Sequence, residues 1–150
     1  MEYKGIKIQK LKHNGKIYEG LGKKDSDYYI STKGQVFALT PMSPYVKKRR
    51  PSINIDGKNF PVAQAVIETF GQTKVEWILS TEGKPADVSK EAWKNTPDEV
   101  KMSFARNGVH VDHKDGDSMN DDISNLQYMH AMDNIKKGGK KSWLLLTTVV

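Results

Sequence analysis

VDHKDGDSMNDDISNLQYMHAMDN, residues 111–134, decides how this chain is read. It sets a carboxylate and an imidazole side by side at Asp112 and His113, turns at Asp115-Gly116, and returns amides at Asn120, Asn125 and Asn134. His110-Val111-Asp112-His113 and Leu126-Gln127-Tyr128-Met129 have strand composition, the polar stretch 115–125 between them has loop composition, and 131–137 has helical composition. The unit therefore reads strand, loop, strand, helix. On a strand, Asp112 and His113 point to opposite faces. Both can address one phosphate only if the backbone bends, and the Asp115-Gly116 turn offers a bend close by.

These residue types meet the needs of single-metal phosphodiester cleavage. A water must lose its proton, and a neutral imidazole is suited to that near neutral pH. Charge on the phosphorane and the leaving oxygen must be neutralised, which a divalent cation on hard oxygen ligands does. The histidine must also be held in orientation, for which a buried amide is a common device. Rival readings fit less well. Asp112, Asp115, Asp117, Asn120, Asp121 and Asp122 suggest a calcium loop, but the EF-hand spacing and its glutamate at the twelfth position are not met. A zinc site built on His110, His113 and His130 has irregular spacing and no evident fourth ligand. Plain turn chemistry accounts for any one of these residues alone, but not for the pattern as a whole.

As a whole, residues 111–134 resemble the HNH endonuclease motif, in the version found in phage-encoded homing endonucleases with Asn at the third signature position. The signature positions are then His113, Asn125 and Asn134. The resemblance implies that His113 is the general base, that Asp112 and Asn134 hold the metal, and that Asn125 braces the loop presenting His113. Asp115, Gly116, Asn120 and Leu126 match framework positions that shape this loop. An Asn in the last position implies oxygen ligation by Mg²⁺ or Mn²⁺, one divalent ion, rather than zinc. Upstream, DYYISTKGQVFAL (27–39) resembles the short β-module Y-x-[VI]-S-x-x-G-x-[VI] that precedes the nuclease unit in intron-encoded members, and FPVAQAVIETF (60–70) resembles their connecting helix. Three departures stand out. Gln64 lies where many relatives have His-Arg, which weakens an expected phosphate contact; residues 72–108 form a longer insert; and the C-terminal helix-turn-helix module of many relatives is missing, which implies looser or shorter-site specificity.

Charge points to the same kind of partner. The chain of 150 residues carries a net charge of +6, and residues 1–60 hold 13 Lys or Arg against 5 Asp or Glu, leaving 11 against 13 for the remainder. A concentrated positive region is the footprint of a polyanion-binding surface, although a solvated basic face would look the same by charge alone. Lys47-Lys48-Arg49-Arg50 sharpens this, because four consecutive cations between strands repel one another unless a partner such as phosphate neutralises them. Tyr28, Tyr29, Phe37, Phe60 and Phe70 are assigned to the core, Trp77 and Trp93 to packing in the insert, and His130 to the helix start.

Turn signals organise the rest. A hairpin is expected over residues 3–19 around His13-Asn14-Gly15-Lys16, a second around Thr32-Lys33-Gly34, and a third around Asp56-Gly57 with alternation through Val62. Val62, Val66 and Phe70 then repeat at helical spacing before Gly71. In the insert, helices are expected over Val88–Lys94 and from Thr96, as N-cap, with Pro97 in the first helical position, toward Arg106. There is no cysteine, which excludes disulfides and thiolate sites, and the first ten residues lack the apolar run of a secretory signal.

The expected fold class is α+β. A basic β-rich DNA-binding module with its connecting helix (1–71) is followed by a helical insert (72–108), a ββα-metal HNH unit (109–141) and an unexplained apolar tail (142–150). The expected function is metal-dependent hydrolysis of a phosphodiester bond in duplex DNA, nicking one strand as a homing-type enzyme. The alternatives are a non-catalytic DNA-binding derivative and a general HNH nuclease of phage defence or packaging. The expected partner is double-stranded DNA bound by Lys47, Lys48, Arg49 and Arg50, with neither a membrane nor a nucleotide cofactor. The protein is expected to act as a monomer in the cytoplasm, that of a bacterial host if it is phage-encoded.

Overall fold

Two-residue turns with left-handed backbone set the pattern of the N-terminal strands. In the computed structural model, which describes residues 1–21, 26–38, 41–42, 45–47, 50–55 and 57–138, β1 (Glu2–Tyr3) and β2 (Ile6–Lys10) flank Lys4-Gly5, and β3 (Lys12–His13) and β4 (Lys16–Ile17) flank Asn14-Gly15. All four turn residues have positive φ, the turn geometry whose twist matches that of the strands it joins. The stretch 3–19 is therefore two hairpins rather than the single one expected. Leu39, Ser43, Pro44, Lys48, Arg49, Asp56 and the tail 142–150 lie outside the described residues.

The chain forms two compact units, Met1–Thr73 with His113–Gln127 and Lys74–Asp112 with Tyr128–Val150. In the first, β5 (Tyr29–Ser31), β6 (Val36–Phe37) and β7 (Pro41–Met42) join β1 and β2 in a sheet of order β1-β2-β5-β6-β7 among the described residues. Its neighbours are antiparallel, with Ile8 opposite Ser31 and Ile30 opposite Val36. β8 (Tyr45–Lys47), β9 (Arg50–Ile55) and β10 (Lys58–Pro61) make a second antiparallel sheet. Ile8, Leu11, Ile30, Val36, Ile53, Ile55 and Phe60 are buried, so alternation along these strands fills one core.

Helix α1 (Val62–Phe70) closes this core. The alternation that was expected to run through Val62 stops at Pro61, which is extended, and Val62 opens the helix with Val66 one turn later on its buried face. The polar side chains of α1 fasten the β3–β4 hairpin. Glu68 accepts from the backbone N–H of Asn14 at 2.6 Å and of Gly15 at 3.0 Å, Thr69 Oγ1 accepts from Lys12 N–H at 2.9 Å, and Gln64 Nε2 donates to Asn14 Oδ1 at 2.8 Å. Gly71 ends α1 without left-handed backbone. A Cβ there would lie 2.8 Å from the Ile67 carbonyl oxygen, so close approach is what calls for glycine.

The second unit is helical around an aromatic core. It contains α2 (Lys74–Leu79), α3 (Lys90–Lys94) and α4 (Asp98–Gly108). Helix α2 was not expected, since six residues are too few to show a period. Ser89 caps α3 by accepting from Ala92 N–H at 3.1 Å. Thr96 does not cap α4: its hydroxyl donates back to the Ala92 carbonyl at 2.7 Å, and Pro97 is the extended residue before the helix rather than its first turn. Trp93 is fully buried, with its Nε1–H donating to the Ser80 carbonyl at 3.0 Å, and Trp77 packs 5.8 Å from the Tyr128 ring.

β11 (Val109–His113) and β12 (Leu126–His130) pair as a two-stranded sheet, and α5 (Ala131–Gly138) follows at once. The chain passes from the second unit to the first within β11 and returns within β12. No helix among the described residues is long and apolar enough to cross a membrane.

Candidate active site

In the first unit, His113 ends β11 and its Nε2 lies 2.8 Å from Asp121 Oδ1, with the two side chains only 9% and 4% exposed. Burial pushes the Asp121 carboxyl up from the ordinary aspartate range, against the hydrogen bond and charge of His113 and the more distant charge of Arg50. The loop after His113 is organised by side chains on backbone. Asn125, buried, takes the Asp115 N–H on Oδ1 at 3.0 Å and donates through Nδ2 to Asp115 Oδ1 and to the Asn120 carbonyl, both at 2.9 Å. The Asn125 carbonyl accepts from Lys114 N–H at 2.8 Å. Both hydrogen-bonding ends of this amide are therefore engaged, tying the start of the loop to its middle.

Asp115 is a second node. Its carboxylate also accepts from Asp117 N–H at 2.8 Å and from Asn120 Nδ2 at 2.9 Å, and these bonds, that of Asn120 foremost, hold its carboxyl below the ordinary range. Gly116 is left-handed at φ +78, and its N–H donates to the His113 carbonyl at 2.9 Å. Asp122 caps the short turn Ile123–Asn125 through Ser124, which lowers its carboxyl in the same way. Ile123 N–H donates to the Thr32 carbonyl at 2.8 Å, so the turn 32–34 of the β-module seats this loop.

In the second unit, strand alternation places His110 and Asp112 on one face of β11. Asp112 is buried, and Asn134, in the first turn of α5, brings Nδ2 to 3.3 Å from His110 Nδ1. His113 belongs to the other face and to the first unit. His130 is drawn away from any such chemistry: it is buried, its Nε2 lies 2.5 Å from the Gly83 carbonyl oxygen, and its ring packs against Trp77, Trp93 and Phe104. A zinc site using His130 is thereby removed. Among the described residues no group of three or more His, Cys, Asp or Glu is placed to hold a metal ion. Asp112 and Asn134 carry a carboxylate and an amide oxygen, hard donor types of the kind a Mg²⁺-type ion takes together with waters and phosphate oxygens.

Of the basic run, Lys47 ends β8 opposite Arg50, which begins β9, and Arg50 is exposed. Lys48 and Arg49 are outside the described residues. Gln64 is engaged with Asn14. Among the chemically active groups, sequence reasoning passed over Asp121, treating it only as one of six possible calcium donors. Nothing in spacing separates it from Asp117 or Asp122, because its contact with His113 depends on the folded shape of the loop.

No family model matches the chain, and no curated protein is found similar to it. Among solved structures, similarity is found to one described as "DNA binding and cleavage by the HNH homing endonuclease I-HmuI", at a TM-score of 0.48 and 17% identity over 89% of this chain and 60% of that one. The protein thus spans less than two thirds of the length of that structure.

Proposed function

We propose that this protein is a metal-dependent endonuclease that hydrolyses a phosphodiester bond in duplex DNA, nicking one strand as homing-type HNH enzymes do. The observation that carries the reading is the motif His113, Asn125, Asn134 laid on a strand, a loop, a strand and a helix, with Asn125 hydrogen-bonded on both its amide groups inside the loop that follows His113. In this reading His113 takes a proton from the attacking water. Asn125 keeps the loop, and with it the end of β11, in one conformation. Asp112 and Asn134 would hold Mg²⁺ or Mn²⁺, which when bound neutralises charge on the phosphorane and the leaving oxygen. Lys47, Lys48, Arg49 and Arg50 position the phosphate backbone and carry no sequence information themselves.

Supercoiled plasmid incubated with Mg²⁺ or Mn²⁺, against EDTA, tests this directly. Nicked circles that disappear with EDTA are expected. Replacing His113 by Ala should lower turnover about 10²–10⁴-fold, the usual contribution of a general base, while DNA affinity stays close to that of the parent. Asp112→Ala should remove activity and its metal dependence together. DNA binding without product under any metal would instead identify a non-catalytic DNA-binding protein, and random cut ends would identify a general nuclease.

A further inference from the structure

We infer that the turn Ser31-Thr32-Lys33-Gly34 fixes the working geometry of the loop that follows His113, and that Gly34 is a positioning residue: its lack of a side chain sets the contact between Asp121 and His113. The inference rests on the nuclease reading in giving His113 a part in the reaction. The steps assigned to the site and to the basic run leave the S-x-x-G part of the β-module without a role. Its serine builds the turn from within. Ser31 is buried, its Oγ accepts from Lys33 N–H at 3.3 Å and from Gln35 N–H at 3.1 Å, and its carbonyl accepts from Gly34 N–H at 3.1 Å. The Thr32 carbonyl is thereby presented to the loop, where it takes the Ile123 N–H at 2.8 Å.

Its glycine stands between α1 and the loop. A Cβ at Gly34 would lie 2.9 Å from Val62 Cγ1 and 3.6 Å from Val66 Cγ2 on one side, and 3.2 Å from Asp121 Cβ on the other. Both valines are fully buried and β-branched, so the helix side of this gap yields at a cost in packing. The loop side yields instead, and Asp121 carries the carboxylate 2.8 Å from His113 Nε2. Displacement of Asp121 does not stop there. Asn120 beside it is tied to Asp115 and Asn125, and Asn125 holds the N–H groups of Lys114 and Asp115, the two residues after His113. Reacting groups tolerate little of this, since a misplacement of about 1 Å caused by a remote change costs on the order of 10²-fold in rate.

The test compares Gly34→Ala with Gly15→Ala in the full chain. Both positions are left-handed, but a Cβ at Gly15 meets nothing within 4 Å, so that variant reports backbone strain alone. In Gly34→Ala, kcat for nicking should fall about 10–10²-fold with KM for DNA little changed, and the backbone ¹H–¹⁵N signals of His113, Asp115 and Asn125 should move. Gly15→Ala should leave kcat and those three signals as in the wild type. An unchanged kcat in Gly34→Ala overturns the inference, as do unmoved signals or an equal loss of kcat in Gly15→Ala. If Gly34→Ala fails to fold, Ile123→Pro decides by the same readings at His113 and Asp115, because it removes the N–H that the Thr32 carbonyl takes. Asp122 is already extended at φ −60 and ψ 135, as a following proline requires, and Ile123 opens its short helical turn, where proline fits. The spectra need no turnover. An inactive wild-type protein would remove the nuclease reading, and moved signals in Gly34→Ala would still uphold the turn as what fixes the loop, while unmoved signals would overturn both.

Discussion

At the scale of single residues, the loop 115–125 uses identical side chains for opposite purposes. Asp115 and Asp122 are solvent-facing carboxylates that accept several N–H groups, which favours the charged form; Asp121 is largely withdrawn from water, which disfavours it. The consequences for stability have opposite signs. A carboxyl held low contributes stability above the ordinary aspartate value, and that stability is lost as the pH falls through the lowered value. A carboxyl pushed up contributes stability below the ordinary value and loses it as the pH rises through the raised one. A ¹³C titration of the aspartate carboxyls should therefore find the Asp115 midpoint below the ordinary value and the Asp121 midpoint above it. Coincident midpoints would mean that the loop hydrogen bonds are not those described. Sequence could not divide these roles. Asx-type turn chemistry is written into Asp and Asn wherever they occur, but which carboxylate is buried against His113 depends on where the turn 32–34 seats the loop.

At the scale of elements, legibility follows the range of the interactions that decide each one. The Asn14-Gly15 turn, the Gly34 turn, α1 and the order strand, loop, strand, helix are set by backbone preferences and apolar spacing within a few residues, and all were readable. Helix α2 was not, because it owes its place to burial of Trp77 and Ile78 rather than to a period of its own. Nor was the donation of Thr96 back to α3, since a Thr before a Pro reads equally well as a cap for the next helix. Two glycines with the same backbone sign show how local and tertiary demands differ. Gly15 and Gly34 are left-handed at φ +75 and +84, but a Cβ at Gly15 meets nothing within 4 Å while one at Gly34 lies 2.9 Å from Val62 Cγ1. Gly15→Ala should therefore lose only the backbone term, about 1–2 kcal/mol. Gly34→Ala adds overpacking against α1 and the Asp121 loop, for about 2–4 kcal/mol in all. Urea denaturation of the two variants measures the difference, and equal losses would show that Gly34 serves its turn alone.

At the scale of the whole chain, charge is divided along the sequence in a way that suits one partner. The excess of 13 cations over 5 acids in residues 1–60 belongs to the same compact unit as His113 and its acidic loop. Such a loop would repel a phosphodiester if its carboxylates were free. Asp115, Asp121 and Asp122 are each committed to donors within the unit, which spreads their charge over backbone and side-chain N–H groups. Attraction of a polyanion would then fall to exposed cations such as Arg50 at the start of β9. If the basic run 47–50 meets a DNA backbone, each phosphate it neutralises releases condensed counterions, and binding weakens as salt rises. Replacing Lys47, Lys48, Arg49 and Arg50 together by Gln should make the slope of log K against log salt shallower by up to about 3.6, at roughly 0.9 for each duplex phosphate no longer neutralised. Affinity should fall alike for unrelated sequences, since phosphate contacts carry no base information. Fluorescence anisotropy of a labelled duplex across a salt series measures both quantities. An unchanged slope would move the DNA footprint away from residues 47–50, and a loss confined to one sequence would make them readers of bases instead of an electrostatic anchor.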